Sequence, residues 1–436
     1  MWRNWRVSKQ PLLDNHLPSM SIDLSDPGKI GFSAERLERI NSLTSRYVNS
    51  GKLAGIVTCV ARRGQTVHFD KAGCQDIKSR SPMELDTIFR IYSMTKPVTC
   101  AALMMLYEES LFNLRDHVSK FIPTFKEVKV MTEGGVLVEP LRPITIQDLM
   151  RHTAGLSYGG YEDSNSAVDK LYDKADLFNP GLTNQEITTR IAGLPLMFHP
   201  GEKWHYSMAT DVAGHLVELL SGQPLADFMK DRIFDPLGMV DTAFLIEPEK
   251  LGRFATLYGK IPDDDLGILD EPATSEYSPP IVTHAGGHGL VSTAADYLRF
   301  AQCILNKGQL EGVRLLGPRT VALMTCNHLP ADLLPIAFEG TEPMLGMGYG
   351  LGFGVMLDVA QTGFMGSVGD YSWGGHAETY FWIDPQEELV AILMAQYMPS
   401  MTYPIRQEFR TAVYQAMIDI GTQSNLPNND LRRRTI

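Results

Sequence analysis

Two β-hairpin patterns lie near opposite ends of this 436-residue chain, with helical patterning between them. Ile56-Val57-Thr58-Cys59-Val60-Ala61 and Thr66-Val67-His68-Phe69 flank the turn-forming Arg62-Arg63-Gly64-Gln65. Thr379-Tyr380-Phe381-Trp382-Ile383 and Leu389-Val390-Ala391-Ile392-Leu393 flank Asp384-Pro385-Gln386. Roughly 98–285 carries helical spacing and proline-rich loops, and 405–420 reads as a final helix. Strands at both ends with helices between imply a mixed α/β fold of the α+β type. An antiparallel sheet built from both ends of the chain would be flanked by helices, with a mostly helical domain inserted. The expected boundaries are an arm over 1–30, a discontinuous sheet domain over 31–105 and 285–421, a mostly helical domain over 106–284, and a tail over 422–436. The cleft between the two domains is the default binding site.

A chain of this length suggests about two domains. It is 44% hydrophobic and 21% charged, a globular composition, and its formal charge of -12 argues against nucleic acid or anionic membrane as partners. The basic start, Met1 to Arg6, has no apolar stretch behind it, so a secretion signal is not expected. No apolar run is long enough to span a membrane. Cys59, Cys74, Cys100, Cys303 and Cys326 are scattered and odd in number, and read as reduced thiols of a cytoplasmic protein. Ser33 can cap a helix whose apolar face is Leu37, Ile40, Leu43 and Tyr47.

Three segments carry chemistry. Ser93-Met94-Thr95-Lys96 opens a run of Val98, Ala101, Ala102, Leu103, Met104, Met105 and Leu106, apolar nearly all round and so expected to be buried. Chance gives about one Ser-x-x-Lys in a chain this long, so its setting matters more than its occurrence. A lysine one turn after a serine can take the hydroxyl proton if its amine is neutral. A helix N-terminus favours an oxyanion and disfavours a charged lysine. The plain alternative is a capping serine with a snorkelling lysine, but burial in so apolar a helix makes an idle lysine costly. The second segment, 200–208, places Tyr206 just before a helix carrying Val212, Leu216, Leu219 and Leu220, stopped by Gly222. A phenol beside an ammonium can pass protons; most tyrosines are merely half-buried. In the third, Tyr371-Ser372-Trp373-Gly374-Gly375-His376, paired glycines at a strand edge let a substrate approach the backbone. An N–H there, with that of Ser93, would form an oxyanion hole, whereas a flexible turn is the bland reading.

Ser93-Met94-Thr95-Lys96, Tyr206-Ser207 and Trp373-Gly374-Gly375 occur in the order and spacing of the penicillin-recognising serine hydrolases. Over about 30–420 the chain most resembles the family VIII carboxylesterases, which look like class C β-lactamases. The 149–156 and 286–293 segments and the 380–397 hairpin add to the likeness. The resemblance implies a β-lactamase/transpeptidase-like fold, with Ser93 as nucleophile, Lys96 as its base partner and Tyr206 as proton relay. Trp373, Gly374 and Gly375 would line the acyl site, and His376 would stand at the second oxyanion N–H position, acting through its backbone. Two departures bear on substrate. Met208 stands where the β-lactamases have an asparagine and Trp373 where they have a lysine, which removes polar groups that recognise a carboxylate. An indole and a thioether favour a neutral, partly apolar ester.

Gly155-Leu156-Ser157-Tyr158-Gly159 matches the Gly-x-Ser-x-Gly nucleophile elbow but lacks the strand before it and the helix after it. His152 reads as a structural hydrogen-bonder beside that turn. His284 and His288 are four apart, but Ala285-Gly286-Gly287 opposes the helix a zinc pair needs. No metal or cofactor is expected, and Cys100 reads as a small buried residue. The expected activity is serine carboxylesterase hydrolysis of short-acyl, small-molecule esters through a Ser93 acyl-enzyme. The alternatives are a β-lactamase or DD-peptidase-like hydrolase, an acyltransferase to an alcohol, and a non-catalytic binding protein. Oligomeric state stays open.

Overall fold

The computed structural model describes residues 22–160, 166–262, 264–278, 282–338 and 340–419. The expected arm is thus described only from Ile22 onward, and the expected tail over 422–436 lies outside the described residues.

Both hairpins form, and they lie side by side. Gly55–Arg62 pairs antiparallel with Gln65–Asp76 on one edge and with Leu389–Ala395 on the other, where Ile56 faces Ala395 and Arg62 faces Leu389. The eight-stranded sheet runs Met347–Tyr349, Gly354–Met356, Tyr371–Gly374, Tyr380–Asp384, Leu389–Ala395, Gly55–Arg62, Gln65–Asp76, Ser81–Pro82, every pairing antiparallel. The two ends of the chain therefore meet at the centre of one sheet.

Side chains alternate between its faces. Ile56, Val60, Leu389, Ala391 and Leu393 pack under the helices Ala34–Asn49 and Ile405–Tyr414. Val57, Cys59, Ala61, Val390, Ile392 and Met394 point into the opposite core, shared with the helices Ala294–Leu305 and Thr95–Glu108. With both faces covered, Leu389–Ala395 is buried at every position, so its sequence shows no polar alternation. Ser33 caps its helix as expected, its hydroxyl accepting from the Arg36 N–H at 3.3 Å.

The final helix ends at Tyr414, earlier than spacing suggests. Backbone pairing draws the following residues away: Ser33 N–H reaches Ala416 O at 2.8 Å and Ile418 N–H reaches Gly31 O at 2.9 Å. The middle of the chain is not helix alone. Leu257–Ile261 pairs antiparallel with Asp264–Asp270 and parallel with Tyr397–Met398, a contact between distant segments that local periodicity cannot register. Leu219, expected on an apolar face, is exposed.

Candidate active site

Ser93 sits in a 3₁₀ turn, Tyr92–Met94, that feeds the helix Thr95–Glu108, with Pro97 in its first turn. Tyr92 holds φ at +40°, a left-handed conformation costing a tyrosine about 1–3 kcal/mol. That bend takes the chain from the strand Phe89–Arg90 into the helix and puts Ser93 at its mouth. Every residue from Thr95 to Leu106 is buried.

Lys96 is 0% exposed. Its Nζ donates to Gly287 O at 2.8 Å, to Tyr158 OH at 2.8 Å and to Ser93 Oγ at 3.3 Å, and lies 4.4 Å from the centre of the Tyr206 ring. Burial lowers its pKa to about 7, against an opposing pull from Asp211. A large fraction of the amine is therefore neutral near pH 7. The same helix grips residues 286–290: Thr99 Oγ1 donates to Gly286 O at 2.6 Å, and Thr95 Oγ1 accepts from Leu290 N–H at 3.1 Å.

Tyr206, three residues before the helix Ala209–Ser221, meets Lys96 through its ring face. Its hydroxyl accepts from Trp373 Nε1 at 3.2 Å. Ser93, Lys96, Tyr206 and Trp373 thus form a continuous line of contacts. The phenol 2.8 Å from the amine is that of Tyr158, which sequence reasoning passed over. It stood inside the Gly-x-Ser-x-Gly decoy, where only the serine drew attention, and no spacing links it to Lys96. Ser157 itself is buried, donates to Asp169 Oδ1 and accepts from Gly159 N–H at 2.9 Å, so it ties a turn. A capped helix, Ile146–Met150, precedes it where an elbow needs a strand. His152 is also buried, its Nδ1 accepting from Ser207 N–H at 3.3 Å.

Trp373 is 8% exposed and packs against Tyr206, Phe338 and Tyr349, with ring centres 5.0–6.0 Å apart. Gly375 has no room for a side chain: a Cβ there would strike Ile91 O and Thr379 Oγ1. That absence lets the strand end lie against the residue two before Ser93. The Gly375 N–H donates to Thr379 O at 2.8 Å, so it is already committed and is not the oxyanion donor that the glycine pair suggested. Arg406 backs this corner, Nη2 donating to Gly375 O at 2.8 Å and Nε to Glu378 Oε1 at 2.6 Å; a Cβ on Gly374 would meet its guanidinium. His376 sits edge-on to Tyr92, ring centres 6.4 Å apart, and burial lowers its pKa. Met208 is buried and lines a cavity with Leu177, Phe178, Ile187, Phe244 and His288. The same cavity is also lined by Asp211 and Glu276, and Phe178 stacks on Tyr158, which brings this mixed apolar and acidic cavity beside Lys96.

Among the described residues no group of three or more His, Cys, Asp or Glu is placed to hold a metal ion, and no helix is long and apolar enough to cross a membrane. His284 and His288 lie in a loop and turn.

Comparison with known proteins places this geometry in context. The sequence pattern described as "Beta-lactamase" matches residues 40–415. Esterase EstB from Burkholderia gladioli is 31% identical over 409 residues, covering 89% of this chain and 98% of the esterase. Lovastatin esterase from Penicillium rubens is 29% identical over 395 residues, covering 84% of this chain and 96% of its own. The solved structure of EstCE1, described as a hydrolase with promiscuous acyltransferase activity, superposes with a TM-score of 0.73 at 25% identity, covering 87% of this chain and 99% of its own.

Proposed function

Because the chain belongs to the beta-lactamase family, among the family VIII esterases of the penicillin-recognising serine hydrolases, we propose that it is a serine carboxylesterase hydrolysing short-acyl esters. The observation that carries this reading is a wholly buried Lys96 whose amine lies 3.3 Å from the Ser93 hydroxyl. Ser93 Oγ gives its proton to the Lys96/Tyr206 pair and bonds to the ester carbonyl carbon. The carbonyl oxygen gains the negative charge, met by the N–H groups of Ser93 and His376. As the carbonyl re-forms, the C–O bond to the alcohol breaks and the alcohol leaves with a proton from Tyr206. A water then gives a proton to the same pair as its oxygen bonds to the acyl carbon; the bond from that carbon to Ser93 Oγ breaks, Oγ takes the proton back from the pair, and the acid leaves. The Tyr158 hydroxyl, against the amine, is placed to share this proton traffic.

Trp373, Gly374 and Met208 would frame the acyl group. The indole stands where a β-lactamase of the resembled type carries a carboxylate-binding lysine, which supports a neutral ester over a β-lactam or cell-wall peptide. A second reading, acyl transfer to an alcohol in place of water, is favoured by the activity described for EstCE1. The five cysteines are free thiols, which supports work in a reducing compartment such as the cytoplasm.

Fluorophosphonate labelling followed by peptide mass spectrometry tests the nucleophile: the tag is expected on Ser93, and a tag on Ser157 alone overturns the scheme. The ratio of kcat/KM for p-nitrophenyl butyrate to that for a chromogenic cephalosporin tests the substrate class. Product partitioning with added alcohols separates transfer from hydrolysis.

A further inference from the structure

Asp211 takes no part in the reaction just described, yet it is 5% exposed and lies one residue's reach from the reactive amine. It stands in the first turn of the helix Ala209–Ser221, where the helix dipole favours a carboxylate. Its Oδ1 accepts from Gly287 N–H at 2.9 Å, and the carbonyl of the same glycine holds Lys96 Nζ at 2.8 Å. The carboxylate and the amine therefore clasp Gly287 from its two ends. A Cβ on Gly287 would collide with Asp211 Oδ2, so only glycine permits the approach. Among the described residues Oδ2 has no hydrogen-bond partner, and His288 Nδ1 lies 3.5 Å from Oδ1. A buried carboxylate half-satisfied in this way is costly, and its placement asks for a reason beyond packing.

We infer that Asp211 is a positioning residue for Lys96: through Gly287 it fixes the carbonyl that holds the amine beside Ser93, and it sets a carboxylate on the far side of that same glycine. This rests on the Ser93–Lys96 reading. Lys96 is faced by Cys100 on its own helix, by His152 and Tyr158 from the turn after Ile146–Met150, by Tyr206, by His288, and by Asp211. Burial pushes the Cys100 thiol up to about 12 and depresses both imidazoles, so these groups are neutral near pH 7. Among the described residues, Asp211 is the carboxylate that opposes the effect of burial on the amine. Without it, desolvation would drive the amine further down and weaken it as a base. With it, the amine stays near neutrality, where a general base works best.

The test is the pH dependence of kcat/KM for a p-nitrophenyl ester in Asp211→Asn, alongside wild type and Asp211→Glu, with fluorophosphonate labelling of Ser93 in each. In Asp211→Asn, whose amide oxygen can still accept from the Gly287 N–H, the acid limb should move down by about one pH unit, since a carboxylate has been removed from beside the amine, and the plateau should fall by up to about tenfold as a less basic amine removes the Ser93 proton. Asp211→Glu should return the limb toward wild type. Should Asp211→Asn fail to fold, Asp211→Ser, smaller and still carrying an oxygen, makes the same prediction. A folded neutral variant whose Ser93 still labels and whose limb is unmoved overturns the inference, because a purely structural clamp would lower the plateau without shifting the limb. Failure to label Ser93 in the wild type strikes the esterase scheme instead.

Discussion

Replacing Lys96 with methionine should abolish turnover and change how stability depends on pH. The unfolded lysine binds its proton up to pH 10.5, whereas the buried one does so only up to about 7. Between those values the unfolded state holds more protons, so wild-type stability rises with pH across the window. The penalty for the buried amine is fully present below pH 7 and absent above 10.5. A drop of that size corresponds to about 5 kcal/mol, at about 1.4 kcal/mol per pH unit. Methionine has a similar length and does not titrate, so its stability relative to wild type should fall by about that much from pH 7 to 10.5. Loss of the contacts to Ser93, Tyr158 and Gly287 shifts the whole difference by about 1–3 kcal/mol for each group left unsatisfied, without altering its slope. For 436 residues the unfolding entropy is about 0.9 kcal/mol/K, so the difference in Tm should change by about 5 °C across the window. Differential scanning calorimetry of both proteins from pH 6.5 to 10.5 measures it, and the titrations they share cancel. Two parallel curves would mean that the buried amine does not lose its proton on folding, and the basis for calling Lys96 a base would be gone.

Three further outcomes are expected. Tyr206→Phe should lower kcat by about 10²-fold or more and Tyr158→Phe by about tenfold or more, with KM little changed; steady-state kinetics of the two singles and the double tell whether the phenols share one proton path. Gly375→Ala should lower both Tm and kcat, since its methyl group must displace Ile91 O or Thr379 and thereby shift Ser93; unchanged activity would detach the strand edge from the nucleophile. Trp373→Lys should destabilise by about 2 kcal/mol or more and fail to create β-lactam hydrolysis, because the ammonium would enter an aromatic cluster with no carboxylate in it; a chromogenic cephalosporin assay and thermal melts check both points.

The amino-acid pattern alone was enough to give the mixed fold, the two hairpins and the one-turn spacing of Ser93 and Lys96. Each of those depends on local periodicity or on residues one helical turn apart, and such information is written along the chain. The capping role of Ser33 and the stop at Gly222 were readable for the same reason. Sequence did not reveal which phenol lies nearest the amine, that the Gly375 N–H is already donated, or that Asp211 reaches Lys96 through Gly287. Tyr158, Asp211 and Gly287 come from a loop, a helix and a turn with no common spacing, and only packing of the helix Thr95–Glu108 against those elements brings them within 3 Å of one another's partners. Sequence sets which groups are present and which helix is buried. The tertiary structure sets their distances and their dehydration, and it is dehydration that makes an amine a base.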